Sequence, residues 1–221
     1  MPNIINVAEL SAYGEEDEVI LEDLDFSVDR GEFVQLSGLS RVQYETLFRI
    51  LTGDIEPDSG QVVLADRNIV RLSRKKRKKM LREDVSFLPR NFLVPEQKTV
   101  LETLEFKLKL AGSFSDGRER LEEVLNLTDL RGEEGVYPRQ GGELTRVKTG
   151  LALSILTKPD LLVCHEGLSS LNSTESKCVI EILSGINEGT GLSVLLLTDE
   201  LKSESEKIKL IESNLDSRVV G

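Results

Sequence analysis

Two short runs, Leu161-Leu162-Val163-Cys164 and Val194-Leu195-Leu196-Leu197, are apolar at every position. A strand with one wet face alternates apolar and polar residues; a strand covered on both faces does not. The stretch between the runs has helical spacing over Glu175 to Leu183, so it predicts two buried parallel strands joined by a helix. Parallel strands need such crossovers, and an α/β fold follows. At 221 residues the chain has room for one domain with a small inserted lobe. No apolar run approaches the roughly 20 residues needed to cross a bilayer, and the N-terminus lacks a basic-then-apolar export signal. Two Cys cannot build a disulfide scaffold. Together these features predict a cytoplasmic protein. A net charge of −11 argues against general nucleic-acid binding, because most of the surface would repel a phosphate backbone.

Ile20 to Val28 alternates as a half-exposed strand would, and Phe33 to Leu36 follows the turn at Arg30-Gly31-Glu32. A loop is expected over Gly38 to Gln43, then a helix over Tyr44 to Leu51 that Gly53 ends. The turn Pro57-Asp58-Ser59-Gly60 leads into a strand at Gln61 to Leu64. Val85 to Leu88 is a strand candidate stopped by Pro89. Thr99 to Arg131 is helical with a break at Gly112 to Gly117, and Leu144 to Leu156 is a further helix. The helical region, about 91–156, reads as a lobe inserted into an α/β core of about 1–90 and 157–221.

Read in order, several segments resemble the ATP-binding domain of ABC transporters over nearly the whole chain. They are Ile20 to Val28 with Gly31-Glu32, Leu51-Thr52-Gly53, Glu56 to Val62, Pro95 to Glu102, Gly141-Gly142-Glu143 and Lys158 to Val163. The likeness is closest to the short FtsE and LolD type. It implies a P-loop NTPase-like (RecA-like) core with a mixed or parallel sheet and an inserted helical subdomain. It also implies ATP hydrolysis as the family activity, dimerisation, and an FtsX- or LolC-like membrane protein as partner at the inner face of the cell membrane.

The nucleotide motifs depart from that pattern. A phosphate loop reads G-x-x-x-x-G-K-[ST], so that backbone amides wrap the phosphates, Lys reaches the outer ones and the hydroxyl holds Mg²⁺. Here the stretch runs from Gly38 to Thr46: Gln43 replaces the second glycine, Tyr44 the lysine and Glu45 the hydroxyl residue, while Arg41 offers partial compensation. His165 takes the place of the Asp that orders Mg²⁺, an ion that prefers oxygen ligands; a structural histidine is the favoured reading, and no metal site is expected. Glu166 aligns with the general base and is the one catalytic candidate, probed against an equal alternative as a retained surface acid. Arg90 occupies the glutamine loop, Asp199 the switch-histidine position, Ser170-Leu171-Asn172 the Asp loop and Gln140 the signature serine; Gly141 and Gly142 are retained. Tyr13 stands where the family stacks a ring on adenine, with packing as the favoured reading.

The expectation is a degenerate, pseudo-ATPase subunit, structural or regulatory, with no cofactor; ATP and Mg²⁺ enter only if the altered site still binds. The alternatives are the non-catalytic half of a heterodimer with an active ABC paralogue and a weakly active ATP-binding subunit. The resemblance assigns the partner groove to Phe87, Phe92, Leu93, Val94 and Leu101. The basic run Arg74 to Lys79 reads as a solvated helix face, an anionic-lipid contact or, with least support, a nucleic-acid contact.

Overall fold

Consecutive residues of the central strands enter two different hydrophobic cores, which is why the runs 161–164 and 194–197 have no polar positions. The computed structural model describes residues 3–73, 75–77, 79, 84–112, 117–166, 168–198 and 208–213. Asp199 and, in the basic run, Arg74 and Lys78 lie outside them. Five strands form an all-parallel sheet in the order β6 (Val85–Leu88), β7 (Leu161–His165), β8 (Ser193–Leu197), β3 (Phe33–Ser37), β9 (Lys209–Glu212). On β7, Leu161 and Val163 face one core while Leu162 and Cys164 face the other. On β8, Leu195 and Leu197 are divided from Val194 and Leu196 in the same way. Each such fully buried side chain contributes about 1.5–3 kcal/mol of hydrophobic stabilisation.

The first core is closed by a second, antiparallel sheet of β2 (Val19–Asp29), β1 (Asn3–Tyr13), β4 (Ser59–Leu64) and β5 (Arg67–Asn68), and by α1 (Arg41–Leu51). The second is closed by α2 (Val100–Ala111), α3 (Gly117–Leu127), α4 (Gly142–Ile155) and α5 (Ser173–Thr190). Three of these helices lie between β6 and β7 in the chain. Thr99 and Glu102 form a capping box at the start of α2, and Asn172 and Glu175 form one at the start of α5. Asn172 therefore has a local role as helix cap. The buried Arg120 of α3 donates to the carbonyls of Ile155 and Leu156, satisfying the C-terminal end of α4.

Phe92 follows β6 and is 9% exposed. Its ring lies against Gly150 of α4, where an added Cβ would meet ring carbons at 2.4 Å. The Arg146 guanidinium covers the ring at 4.3 Å from its centre and donates to the Phe92 carbonyl at 3.2 Å. Phe92 thus fastens the segment after β6 onto α4. Substituting Gly150→Ala forces the ring away, and overpacking of this kind costs about 1–3 kcal/mol. A lowered urea midpoint at unchanged slope is the expected result, measured by circular dichroism.

Candidate functional site

In parallel α/β sheets the carboxyl ends of the strands gather the functional groups. Here the ends of β3, β6 and β7 bring together the β3–α1 loop, Arg90, His165 and Glu166. The loop is only Gly38-Leu39-Ser40, because α1 begins at Arg41, three residues earlier than the sequence pattern suggested. The cause is a capping box. The Gln43 backbone N–H donates to Ser40 Oγ at 3.3 Å, and the Ser40 N–H donates to Gln43 Oε1 at 2.7 Å. Gln43 is therefore part of the helix, and its side chain folds back over the helix start. Ser213, just past β9, donates its hydroxyl to the Gly38 carbonyl at 2.9 Å and holds the loop from the other side.

Tyr44 is 2% exposed, and its hydroxyl donates to the Leu36 carbonyl on β3 at 3.2 Å. The ring is a core element beneath the loop. Thr46 is also buried, whereas Arg41 and Glu45 face outward. Glu45 Oε2 lies 3.7 Å from Nδ1 of His165. The imidazole is 3% exposed and stacks on Phe48 of α1 at 4.9 Å between ring centres. Its Nε2 is buried without a hydrogen-bond partner. Desolvation by burial pulls the His165 pKa below its ordinary value; Glu45 and Glu166 oppose the shift, and Arg90 and Arg41 reinforce it.

Arg90 and Glu166 meet in an ion pair of 2.7 Å, although 76 residues separate them. Glu166 holds a left-handed backbone at φ 43°, a conformation that costs a non-glycine residue free energy. The site thus contains Arg41, Glu45, Glu166 and Arg90 around a neutral imidazole, two charges of each sign. Cys164, next to His165, is fully buried, and burial pushes its thiol up to about 12, so it is chemically inert at neutral pH. Among the described residues no group of three or more His, Cys, Asp or Glu is arranged to hold a metal ion.

Of the remaining predicted positions, Phe87 reaches this cluster through Phe48. Tyr13, 46% exposed at the end of β1, receives no stacking partner among the described residues, and its backbone N–H donates to Asp58 at 2.8 Å. Gln140 and Gly141 are exposed at the start of α4, with Gly141 as its N-cap. Gly142 has φ +89°, and an added Cβ at Gly141 would meet Thr145 at 2.7 Å. Of the groove residues, Phe87 is partly buried and packs on the first core, with its ring edge-on to Phe48. Val94 and Leu101 pack on the second core, and Leu93 is 92% exposed. Phe92 is interior, as described above, and so offers little free surface to a partner.

A family model described as ABC transporter matches residues 21–169, about two thirds of the chain. The chain belongs to the ABC transporter family. Curated relatives include a methionine import ATP-binding protein MetN 2 of Bacillus licheniformis, 32% identical over 204 residues, which are 91% of this chain and 59% of the relative. MetN of Geobacillus kaustophilus is 30% identical over 199 residues, 87% of this chain and 57% of the relative. The chain therefore spans less than three fifths of the length of these two relatives. Both carry methionine-import names, where the sequence likeness pointed to the FtsE and LolD type. Among solved structures, cbiO1 from Clostridium perfringens, part of the ABC transporter complex cbiONQ, superposes with a TM-score of 0.80 at 20% identity over 90% of this chain and 79% of that one. The ATP-binding cassette MJ0796, a dimer bound to ADP and Pi, gives 0.73 at 22% identity over 89% and 88%. These two show the fold: an α/β P-loop NTPase-like cassette with a helical insertion. Family membership places the chain on the cytoplasmic side of a membrane. No described helix is long and apolar enough to cross a membrane.

The imidazole's displaced pKa has a measurable consequence. The unfolded chain takes up a proton near pH 6.5, and the folded chain does so only at lower pH. The associated stability is present above that value and is lost as pH falls toward the folded pKa. Urea midpoints taken between about pH 7.5 and pH 5 are expected to fall less steeply in His165→Asn than in the parent.

Proposed function

We propose that this ABC-family chain has given up ATP turnover and serves as a structural or regulatory subunit beneath a membrane component. The observation that carries this reading is the self-capped start of α1. The Ser40 and Gln43 amides, which a phosphate would need, are already donating to the chain's own side chains. Tyr44 at the lysine position is anchored in the core, and Glu45 puts a carboxylate where a hydroxyl would meet Mg²⁺. Glu166, the aligned base, is held by Arg90. These residues do not fit a magnesium nucleotide.

Magnitudes support the same conclusion. Replacing Lys by Tyr and a hydroxyl by Glu lowers the local charge by two units. One unit-charge pair at 4 Å is about 1 kcal/mol in bulk water and about 4 kcal/mol near a protein surface. The dipole of α1 returns only about 0.3–2 kcal/mol. With the protein-surface value the net loss is about 6 kcal/mol or more, several powers of ten in nucleotide affinity, since about 1.4 kcal/mol is tenfold.

The relatives' names favour a permease-type component of an importer as the membrane partner over the FtsX- or LolC-like protein expected from the sequence. Pairing as a homodimer or with an active ABC paralogue is compatible with a silent site. The retained signature glycines do not by themselves argue for the paralogue: the positive φ of Gly142 and the close approach of Thr145 to Gly141 give both a local structural reason.

Calorimetric titration of the full chain with Mg-ATP is expected to give no saturable binding, and a phosphate-release assay no turnover above buffer. Micromolar, Mg²⁺-dependent binding would overturn the reading. Turnover abolished by Glu166→Gln would establish the weakly active alternative instead.

A further inference from the structure

Between Asp66 and Glu83 the chain carries nine cations and no acid: Arg67, Arg71, Arg74, Lys75, Lys76, Arg77, Lys78, Lys79 and Arg82. That is nearly a third of its 28 Lys and Arg, concentrated in a chain of net charge −11. A freely solvated basic helix would expose all of its charges alike. This one does not. Arg77 is 6% exposed and donates to the carbonyls of Gly53 and Leu72 and to Glu56 at 3.0 Å. Gly53, at φ +73°, leaves the space: an added Cβ would meet Arg77 Cδ at 2.3 Å. Arg77 is therefore a bolt that ties the segment to the α1–β4 connection. Lys75, Lys76 and Lys79 remain exposed, with Arg67 and Arg71 exposed on the chain leading to them.

We propose that this bolted lysine surface is a contact site for anionic lipid headgroups. Two observations select the occupant. The charge is complementary to an anionic bilayer surface, while the acidic remainder of the molecule opposes wrapping by a polyanion longer than the patch. A subunit of this family also works beside a membrane, where each Lys near an anionic surface contributes additively to binding. The sequence from 67 to 79 contains no aromatic residue on which nucleic-acid bases would stack. The proposal does not depend on the state of the nucleotide site.

Vesicle flotation of the full chain tests it, using phosphatidylcholine alone and phosphatidylcholine mixed with phosphatidylglycerol. Binding to the mixed vesicles only, released by salt, is expected. The triple variant Lys75→Gln, Lys76→Gln, Lys79→Gln is expected to lower the partition coefficient on the order of a hundredfold. The charge-matched variant Lys107→Gln, Lys158→Gln, Lys177→Gln is expected to float like the parent, and equal melting temperatures show that both variants fold. Equal binding to neutral vesicles, or equal loss in the two variants, would overturn the proposal. So would an electrophoretic shift of a single-stranded RNA that depends on the same three lysines in the absence of lipid affinity.

Discussion

Burial of the parallel sheet on both faces is the constraint from which the rest follows. Because β7 and β8 feed alternate residues into two cores, neither strand can slip by one position without exchanging its core partners. Their carboxyl ends are fixed as a result, and with them the places of His165, Glu166 and the loop after β3. The antiparallel sheet and the helices cover opposite faces of this plate. The site therefore inherits a rigid frame.

Within that frame the site's polar groups bond mainly to one another, His165 Nε2 excepted. Donors at the start of α1 are capped from within, Tyr44 fills the space beneath them, and two arginines are matched by two carboxylates around an uncharged imidazole. Together these contacts make a locally neutral, hydrogen-bonded end of a sheet. The left-handed backbone of Glu166 remains as a strained feature of the strand end, kept although its carboxylate is occupied by Arg90.

Much of the fold could be read from the sequence because its strongest signals are local. The apolar runs at 161–164 and 194–197, the Pro57-to-Gly60 turn and the glycine after α1 each declare an element on their own. β1 escaped the same treatment because register shifts break its alternation and leave neighbours such as Ile4 and Ile5 both buried. β9 escaped because four largely exposed residues gain their identity only by pairing with β3. The Ser40–Gln43 box was visible as S-x-x-Q, yet alignment to a phosphate loop suggested an open loop there. The Arg90–Glu166 pair and the burial of Arg77 had no local signal: each depends on partners brought close by the folded chain.

The clamp of Phe92 between Gly150 and Arg146 has a mechanical meaning. It makes the turn after β6 and the long helix α4 a single lever, with a ring as the pin and a guanidinium as the washer. A load applied near Arg90 is delivered to the body of that helix at Arg146 and Gly150. Motion can thus be relayed from the end of the parallel sheet into the helical layer by solid contact.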